Sequence, residues 1–143
     1  MLLTDLIQFI KTTHIETKKR VFPWNDEGLT QYLAWAFSKD YLFVESDENG
    51  LTGCLVAYPL PISSDGTIQS LLPSDNDVSK QFEADNELVI MDGIFKTSKA
   101  RKTITQKFMK RFPNWKNQKK WATRKVKPTV LSNRYIELTG ALN

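Results

Sequence analysis

Residues 87–113 read ELVIMDGIFKTSKARKTITQKFMKRFP, an apolar run with a glycine near its end and then a basic segment. The run over 87–95 is almost continuously apolar, which is typical of a central strand buried on both faces of its sheet. Gly93 predicts a bulge or a close approach of the backbone to another group. Because a basic helical pattern follows this strand directly, the stretch predicts a domain that mixes strands and helices.

The helix after this strand is expected over 99–112. Ser98 has a side chain suited to capping its first turn, and Pro113 ends it because proline disfavours helical geometry in the residue before it. One face of the helix is apolar and predicts its contact with the core: Ala100, Ile104 and Phe108.

Two helices are expected before the first strand. Residues 2–12 carry apolar side chains at helical spacing, namely Leu3, Leu6, Ile7 and Ile10. His14 follows this segment and is expected at the surface. The second helix is predicted at about 27–38, with Asn25 or Asp26 as its cap. Its buried face is predicted to consist of Leu29, Tyr32, Leu33 and Ala36.

Residues 41–60 read YLFVESDENGLTGCLVAYPL, two β-rich runs around Asn49 and Gly50. Asn-Gly favours a two-residue turn, so we expect an antiparallel hairpin here. Cys54 lies in the second run and is expected to be a small buried hydrophobe rather than a nucleophile. As the chain's one cysteine it excludes an internal disulfide, and such cysteine usage is typical of a reducing compartment.

A long acidic loop is expected over 59–86, where three prolines and several Ser and Asp residues stand without a clear period. A connection of this length is uncommon in a compact domain and is typical of a functional loop, a partner-binding segment or partial disorder. A short helix near Val78–Phe82 is expected inside it.

The end of the chain predicts one more strand and one more helix. Residues 119–127, KKWATRKVK, are expected to form a short basic strand. Residues 128–140, PTVLSNRYIELTG, are expected to form the last helix, with Pro128 in its first turn and Gly140 as its C-cap. The side chains expected to point inward from this helix are Leu131, Tyr135 and Leu138.

The chain has 143 residues, of which 41% are hydrophobic, and is expected to form a single domain, 1–143,. No apolar stretch approaches the roughly 20 residues needed to span a membrane, and the amphipathic N-terminus does not resemble a signal peptide. We therefore expect a cytoplasmic protein with no membrane contact. One His and one Cys do not suffice for a Cys/His metal site, so no metal is expected.

Charge divides the chain into two halves. Residues 1–92 contain 6 Lys or Arg and 15 Asp or Glu, whereas residues 93–143 contain 14 Lys or Arg and one acidic residue, Glu137. Such asymmetry indicates something about the partners of a protein rather than about its fold.

The order of these elements resembles that of the GNAT N-acetyltransferase superfamily, including its divergent phage-encoded members. The best local matches are ELVIMDGIF as the central strand, KTSKARKTITQKFMKRFP as the helix after it and SNRYIELTGA as the last helix. The resemblance implies an α/β (α+β) fold with a central mixed sheet, an N-terminal antiparallel hairpin, a splayed parallel strand and flanking helices. Because the sequence ends at Asn143, the final hairpin of that fold is expected to be lacking.

The resemblance also implies an acetyl-CoA site at the start of the helix after the central strand. The superfamily's motif there is Arg/Gln-x-x-Gly-x-Gly/Ala, whose glycines let backbone N–H groups approach the pyrophosphate. Here Lys102 and Ile104 stand at the two glycine positions, which implies an eroded phosphate cradle. The cofactor-binding residues implied by the resemblance are Ile94, Phe95, Lys99, Arg101 and Lys102.

Acetyl transfer to an amine needs a base, a donor to the thioester oxygen and an acid for the leaving thiolate. The resemblance places Glu87 or Asp92 as the base, the backbone amide of Phe95 as the donor and Tyr135 as the acid. Two structural alternatives stand beside these roles. Glu87 can simply begin a strand, and Tyr135 can be a core aromatic with its hydroxyl at the rim.

The basic half suggests a different class of function. Phosphate backbones attract Lys and Arg, and exposed aromatic rings stack on unpaired bases. The same charge can dock an acidic protein surface, or the acidic half of another copy of this chain. Within 96–134, the residues expected to carry such contacts are Lys107, Lys110, Arg111, Lys119, Lys120 and Arg124. The remaining alternative is a solvated helix face.

The sequence therefore suggests a GNAT-like acyltransferase fold with an eroded acetyl-CoA motif, which binds acetyl-CoA if it is active and is expected to have lost its activity if the erosion is complete. The alternative is a phage or virion-type structural or assembly protein, in the host cytoplasm or the virion. A non-specific nucleic-acid-binding protein that uses the basic half is part of the same alternative.

Overall fold

The computed structural model describes residues 3–18, 25–60, 83, 85–90, 93–122 and 129–141. These residues form a mixed α/β structure of four α-helices and six strands. The helices are α1 Leu3–Lys18, α2 Asp26–Ser38, α3 Ser98–Arg111 and α4 Asn133–Ala141, with a 3-10 turn at Trp115–Asn117. The strands are β1 Leu42–Asp47, β2 Gly50–Leu60, β3 Glu87–Ile90, β4 Ile94–Phe95, β5 Lys120–Ala122 and β6 Thr129–Leu131.

The sheet is mixed, as the sequence predicts. Its strand order is β1-β2-β3-β5-β6, and β4 pairs with β2 beyond the end of β3. The pair β3–β5 is parallel and runs from Leu88 opposite Lys120 to Ile90 opposite Ala122. The other pairs are antiparallel. β3 thus lies in the middle of the sheet, as expected of the apolar run that encodes it.

Helices cover both faces of the sheet. The ring of Trp35 on α2 packs edge-on against Tyr58 of β2, with 5.2 Å between ring centroids. On the other face, α3 lies so close to Gly53 of β2 that a Cβ there would be 3.0 Å from the Cβ of Ala100. Because alternate residues of a strand point to opposite faces, α2 and α3 cover opposite sides. α1 packs on α2 and contacts β2 and β4, and α4 packs on α3.

The first two helices are largely as predicted, with one correction. Asn25 is the N-cap of α2, and its side chain accepts a hydrogen bond of 2.8 Å from the amide of Gly28. The predicted buried face of α2 is confirmed. α1 extends to Lys18, and His14 lies inside it and is 3% exposed. The surface prediction for His14 was wrong because the inward stripe of α1 continues one more turn, through Thr13 and His14.

The hairpin is confirmed, with its turn displaced by one residue. Asp47 pairs with Gly50, so Glu48 and Asn49 form the two-residue loop. The carboxylate of Asp47 accepts a hydrogen bond of 2.8 Å from the amide of Asn49. Gly50 has φ +121°, a conformation that side-chain-bearing residues rarely adopt.

The long connection is shorter than predicted at its start. β2 continues to Leu60, and Pro59 and Leu60 pair with Leu88 and Glu87 of β3. Most of the predicted loop, including the short helix near 78–82, lies outside the described residues.

The helix α3 is confirmed, but its cap is not Ser98. Thr97 is the N-cap, and its hydroxyl accepts a hydrogen bond of 3.0 Å from the amide of Ala100. The predicted inward face of α3 is buried, namely Ala100, Ile104 and Phe108. A threonine hydroxyl performs the same capping role as a serine, so local sequence does not choose between the neighbouring residues.

The last helix was predicted wrongly at its start and in its rotation. Thr129–Leu131 form the strand β6, and α4 begins only at Asn133. Tyr135 and Leu138 are 48% and 52% exposed, while the buried residues of α4 are Ile136, Thr139 and Gly140. Gly140 lies within the helix and is not its C-cap. The β-branched residues Thr129 and Val130 suit a strand, so Leu131 belongs to β6 and not to the helix. The predicted inward face, which included Leu131, is therefore not the face that α4 buries.

Cys54 is buried in the core between the sheet and α2, as the sequence predicts. Burial raises the pKa of its thiol to about 12. A thiol held protonated in this way is neither a nucleophile nor a metal ligand.

Candidate functional site

A cavity of about 210 Å³ lies between one face of the sheet and the helices α3 and α4. It begins at the last parallel pair of β3 and β5, since both Ile90 and Ala122 line it. The sheet contributes Leu55, Ile90, Gly93, Phe95, Ala122, Thr129 and Leu131, and the helices contribute Arg101, Thr105, Phe108, Tyr135, Ile136 and Thr139.

The lining separates into an apolar interior and a polar rim. Leu55, Phe108 and Ile136 are buried members of the core, whereas Arg101 and Tyr135 are exposed. Such a cavity suits a ligand with an aliphatic part that is buried and a polar or anionic part that stays at the rim.

Glycines set how closely the walls of the cavity approach each other. At Gly53 a Cβ would be 2.9 Å from Cδ1 of Ile104, so α3 lies directly on the backbone of β2. At Gly140 a Cβ would be 3.0 Å from Cε of Met109, so α4 lies close to α3. The side-chain amide of Gln106 also donates a hydrogen bond of 3.0 Å to the carbonyl of Gly140.

Two of the predicted cofactor residues meet at the rim of the cavity. The guanidinium carbon of Arg101 lies 5.3 Å from the centre of the Phe95 ring, a cation–π contact. The ring in turn covers Gly93, where a Cβ would be only 2.5 Å from the ring's Cε2. The prediction that Gly93 marks a close approach is therefore confirmed, and the approaching group is the chain's own Phe95.

The backbone N–H of Phe95 lies on the edge of β4 that faces away from β2. The amide of Lys96 donates a hydrogen bond of 2.8 Å to the carbonyl of Thr52 on β2. Because successive N–H groups of a strand point to opposite edges, the Phe95 N–H points away from β2. This is the orientation required of the predicted donor to a thioester oxygen.

The other predicted cofactor residues lie near Phe95 and Arg101 in the fold but are not among the residues that line the cavity. Ile94 is buried on the opposite face of the sheet from Phe95, the side covered by α1. Lys99 is exposed and Lys102 is half-buried, both in the first turn and a half of α3. Thr97 already caps this helix end, and Ile104 at the second glycine position is fully buried against the sheet.

Two of the three predicted catalytic residues, Glu87 and Tyr135, are among the described residues, and of these Tyr135 lines the cavity. It lies in the first turn of α4, where Ser132 Oγ accepts a hydrogen bond of 3.1 Å from its amide. Glu87 begins β3, and its carboxylate accepts a hydrogen bond of 2.8 Å from the indole N–H of Trp121. Glu87 lies on the opposite face of the sheet from Ile90, so the structure does not bring it to the cavity. Asp92 lies outside the described residues.

Two of the predicted partner-binding cations, Lys107 and Arg111, contact the chain's own acidic half. Lys107 Nζ lies 3.0 Å from the Glu45 carboxylate and also donates a hydrogen bond to the carbonyl of Val44. Arg111 pairs with Glu83 at 2.7 Å and with Asp40 at 3.4 Å. Lys110 and Lys119 are exposed, and Arg124 lies outside the described residues. The division of charge along the sequence is therefore partly neutralised inside the fold.

Lys120 is a buried lysine at the base of α4. It is 2% exposed, and its ammonium donates hydrogen bonds to the carbonyl of Trp115, at 2.8 Å, and to the side chain of Asn133. Burial lowers the pKa of Lys120. The residue cannot meet a nucleic-acid backbone without leaving this position, so its observed role is to join β5 to the start of α4.

The threonines and Ile136 of the cavity lining were not predicted. The spacing of Ile136, Thr139 and Gly140 would have indicated the inward face of α4 if Thr129–Leu131 had been recognised as a strand. Thr105 carries no such signal, because it lies beside the predicted inward face of α3 and faces the cavity only once α4 is in place.

The described part of the chain offers neither a cluster of metal ligands nor a membrane-spanning helix. It contains no group of three or more His, Cys, Asp or Glu side chains arranged to hold a metal ion. None of its helices combines the length and the apolar character needed to cross a membrane.

No protein-family model, curated protein or solved structure matches this chain. The GNAT resemblance, the phage origin and the cytoplasmic location accordingly stay predictions.

Proposed function

We propose that the chain is a GNAT-like protein and that the cavity binds the thioester arm of acetyl-CoA. The observation that carries this proposal is the convergence of Phe95, Arg101 and Tyr135 on one cavity. These three residues come from β4, α3 and α4, and the superfamily resemblance implies acetyl-CoA binding for Phe95 and Arg101 and the acid role for Tyr135.

The position of the cavity supports the same proposal. It begins where the parallel pairing of β3 and β5 ends, and the resemblance implies a strand that splays from the central strand at this level. A thioester arm entering there meets an apolar interior and, on one edge, the N–H of Phe95. That N–H can donate to the thioester carbonyl, where charge develops during transfer.

The phosphate end of the ligand is held weakly in this proposal. Lys102 and Ile104 occupy the glycine positions of the superfamily motif, so backbone N–H groups cannot form the usual cradle. Arg101, which lines the rim, and Lys99, which is exposed in the first turn of α3, supply side-chain cations instead. Long flexible side chains lose conformational entropy when they bind a phosphate, so we expect a lower affinity than a backbone cradle provides.

Binding without efficient transfer is the activity that we propose. Glu87 is hydrogen-bonded to Trp121 on the far face of the sheet, which leaves Asp92 as the other predicted base. When bound, acetyl-CoA would supply an activated acetyl group. Tyr135 would lie at the rim as a proton donor, and Phe95 would orient the thioester.

The experiment is a thermal-shift titration of the full chain with acetyl-CoA. A ligand that binds only the native state raises the melting temperature by mass action. We expect a saturable shift that Arg101→Ala weakens. Lys110→Ala serves as the matched control, since Lys110 is an exposed cation of the same helix that does not line the cavity. No shift at millimolar acetyl-CoA would refute the proposal.

A second arm of the titration tests the alternative function. If a short single-stranded DNA shifts the melting temperature and acetyl-CoA does not, the basic surface is the functional one. The effect of such binding must fall steeply with salt. Lys110→Ala would then weaken binding, and Arg101→Ala would have no special effect.

A further inference from the structure

Two threonines add polar groups to the cavity where α3 and α4 meet. Thr105 of α3 and Thr139 of α4 both line the cavity. A Cβ on Gly140, the residue after Thr139, would be 3.4 Å from Cγ2 of Thr105. The two threonines therefore lie on neighbouring turns of the two helices, close enough to contact the same ligand.

Each of these hydroxyls already donates its proton within the chain. Thr105 Oγ1 donates a hydrogen bond of 2.8 Å to the carbonyl of Arg101, and Thr139 Oγ1 donates one of 2.8 Å to the carbonyl of Tyr135. Arg101 and Tyr135 also line the cavity, so each hydroxyl joins two lining residues. Since a hydroxyl has one proton and two lone pairs, both oxygens in this arrangement can only accept a hydrogen bond from a ligand.

The charge around the cavity narrows the kind of donor that suits these oxygens. Among the residues that line the cavity in the described part of the chain, none is acidic, and Arg101 is a cation. An ammonium group would meet a like charge there without a carboxylate to compensate it. The suitable donor is therefore a neutral N–H or O–H group.

We infer that Thr105 and Thr139 are specificity-determining residues that accept hydrogen bonds from neutral secondary amide N–H groups of the ligand. This inference rests on the proposed function and deepens it, because the arm of acetyl-CoA between the phosphates and the sulfur contains two secondary amides. The proposed function assigns Arg101 to the phosphates and Tyr135 to the sulfur, which are the two ends of that arm. Each threonine lies about one helical turn from one of these two residues.

Valine and serine variants separate the acceptor from the shape of the side chain. Thr105→Val and Thr139→Val replace the hydroxyl by a methyl group and remove the acceptor, whereas Thr105→Ser and Thr139→Ser keep it. Thr30→Val is the matched control. Thr30 Oγ1 donates a hydrogen bond of 2.6 Å to the carbonyl of Asp26 in α2, the same arrangement, and Thr30 does not line the cavity.

The experiment compares ligands that differ in a single N–H group. The full-length proteins are titrated with acetyl-CoA by isothermal calorimetry, and with N-butylacetamide and N-butyl-N-methylacetamide by NMR chemical shifts. The first small amide has one N–H donor, and the second has a methyl group in its place. Neither contains a phosphate or a thioester, so their binding does not depend on the acetyl-CoA proposal.

We expect each valine variant to bind acetyl-CoA and N-butylacetamide roughly two- to tenfold more weakly than the wild type, the range for one neutral hydrogen bond. The valine variants should not weaken binding of the N-methyl compound, which donates no hydrogen bond. The serine variants and Thr30→Val should bind all three ligands as the wild type does.

An unchanged affinity for N-butylacetamide in either valine variant overturns the role of that threonine. An equal loss for the N-methyl compound overturns the inference as a whole, because the threonines would then act through packing. If acetyl-CoA does not bind but N-butylacetamide behaves as expected, the acetyl-CoA proposal fails while the threonines still select an amide. If neither ligand binds the wild type, both are overturned.

Discussion

The guanidinium of Arg111 forms two parallel hydrogen bonds with the carboxylate of Glu83, at 2.9 Å and 2.7 Å. Arg111 ends α3, and Glu83 lies four residues before β3. The hydroxyl of Tyr41 donates a third hydrogen bond, of 3.1 Å, to the same carboxylate. The hydrogen bond with Glu83 raises the pKa of Arg111, and burial, together with Glu83, raises that of Tyr41. The cluster thus joins the end of α3 to the start of the central strand.

Removing Arg111 from this pair should lower the free energy of unfolding. The Glu83 side chain is 16% exposed, so Arg111→Met leaves a poorly solvated carboxylate without its cation. We expect a loss of about 3–5 kcal/mol in the free energy of unfolding, measured by urea denaturation. Lys107→Met is the control, because its pair with Glu45 is half-exposed and should contribute at most about 1 kcal/mol. Equal losses in the two variants would show that the Arg111 pair has no special role.

Two Gly→Ala substitutions should change the free energy of unfolding by different amounts or in opposite directions. Gly53→Ala places a methyl group within 3.1 Å of Ile104, Ala100 and Phe95, and such overpacking should cost about 1–3 kcal/mol. In Gly140→Ala the nearest atom is the flexible end of Met109 at 3.0 Å. Alanine gains up to about 1 kcal/mol of helix propensity there, so this variant should be neutral or stabilised. Urea denaturation of both variants tests this, and a larger loss in Gly140→Ala would contradict the packing described.

Cys54 should be inert in the native protein. Its pKa of about 12, raised by burial, leaves almost no thiolate at pH 8, and the thiolate is the reactive form. We expect a thiol-specific reagent to label the protein slowly without denaturant and rapidly in concentrated guanidinium chloride. Rapid native labelling would mean that β2 opens readily or that the residue is not buried.

Lys120 should make the free energy of unfolding depend on pH in the alkaline range. Burial lowers its pKa in the native state, so between that pKa and the unfolded value of about 10.4 the unfolded chain binds more protons. The contribution of Lys120 to the free energy of unfolding therefore rises with pH, and it is lost as the pH falls through the pKa of the folded state. Lys120→Met should lose this slope, while exposed Lys119→Met should keep it. Unfolding free energies between pH 7 and about pH 10.4 decide this, and a slope retained in Lys120→Met would refute the assignment.

Most elements were predictable because their signals are local. The apolar run over 87–95, the Asn25 cap and the inward faces of α2 and α3 depend on spacing along a few residues. The error at Thr129–Leu131 has a tertiary cause. A segment of three residues becomes a strand only because β5 offers a free edge, with Lys120 opposite Leu131 and Ala122 opposite Thr129.

The candidate site was predictable only in part. The superfamily resemblance implied all three of Phe95, Arg101 and Tyr135, and the structure places them around one cavity. Glu87 is kept from the cavity because side chains alternate between the two faces of β3. Its carboxylate therefore lies on the other face, where it accepts a hydrogen bond from the indole N–H of Trp121. The withdrawal of Arg111 and Lys120 from the exposed basic surface depends on partners 5 to 72 residues away along the chain.

The amino-acid sequence by itself determined the mixture of helices and strands, the burial of the central strand and the basic character of α3. These properties arise from periodicity, capping and composition, which act over neighbouring residues. Tertiary structure alone decided which charges stay exposed and where the cavity lies. Both depend on how α3 approaches the sheet and how α4 approaches α3, which is set by contacts at Gly53 and Gly140 between residues far apart in the chain.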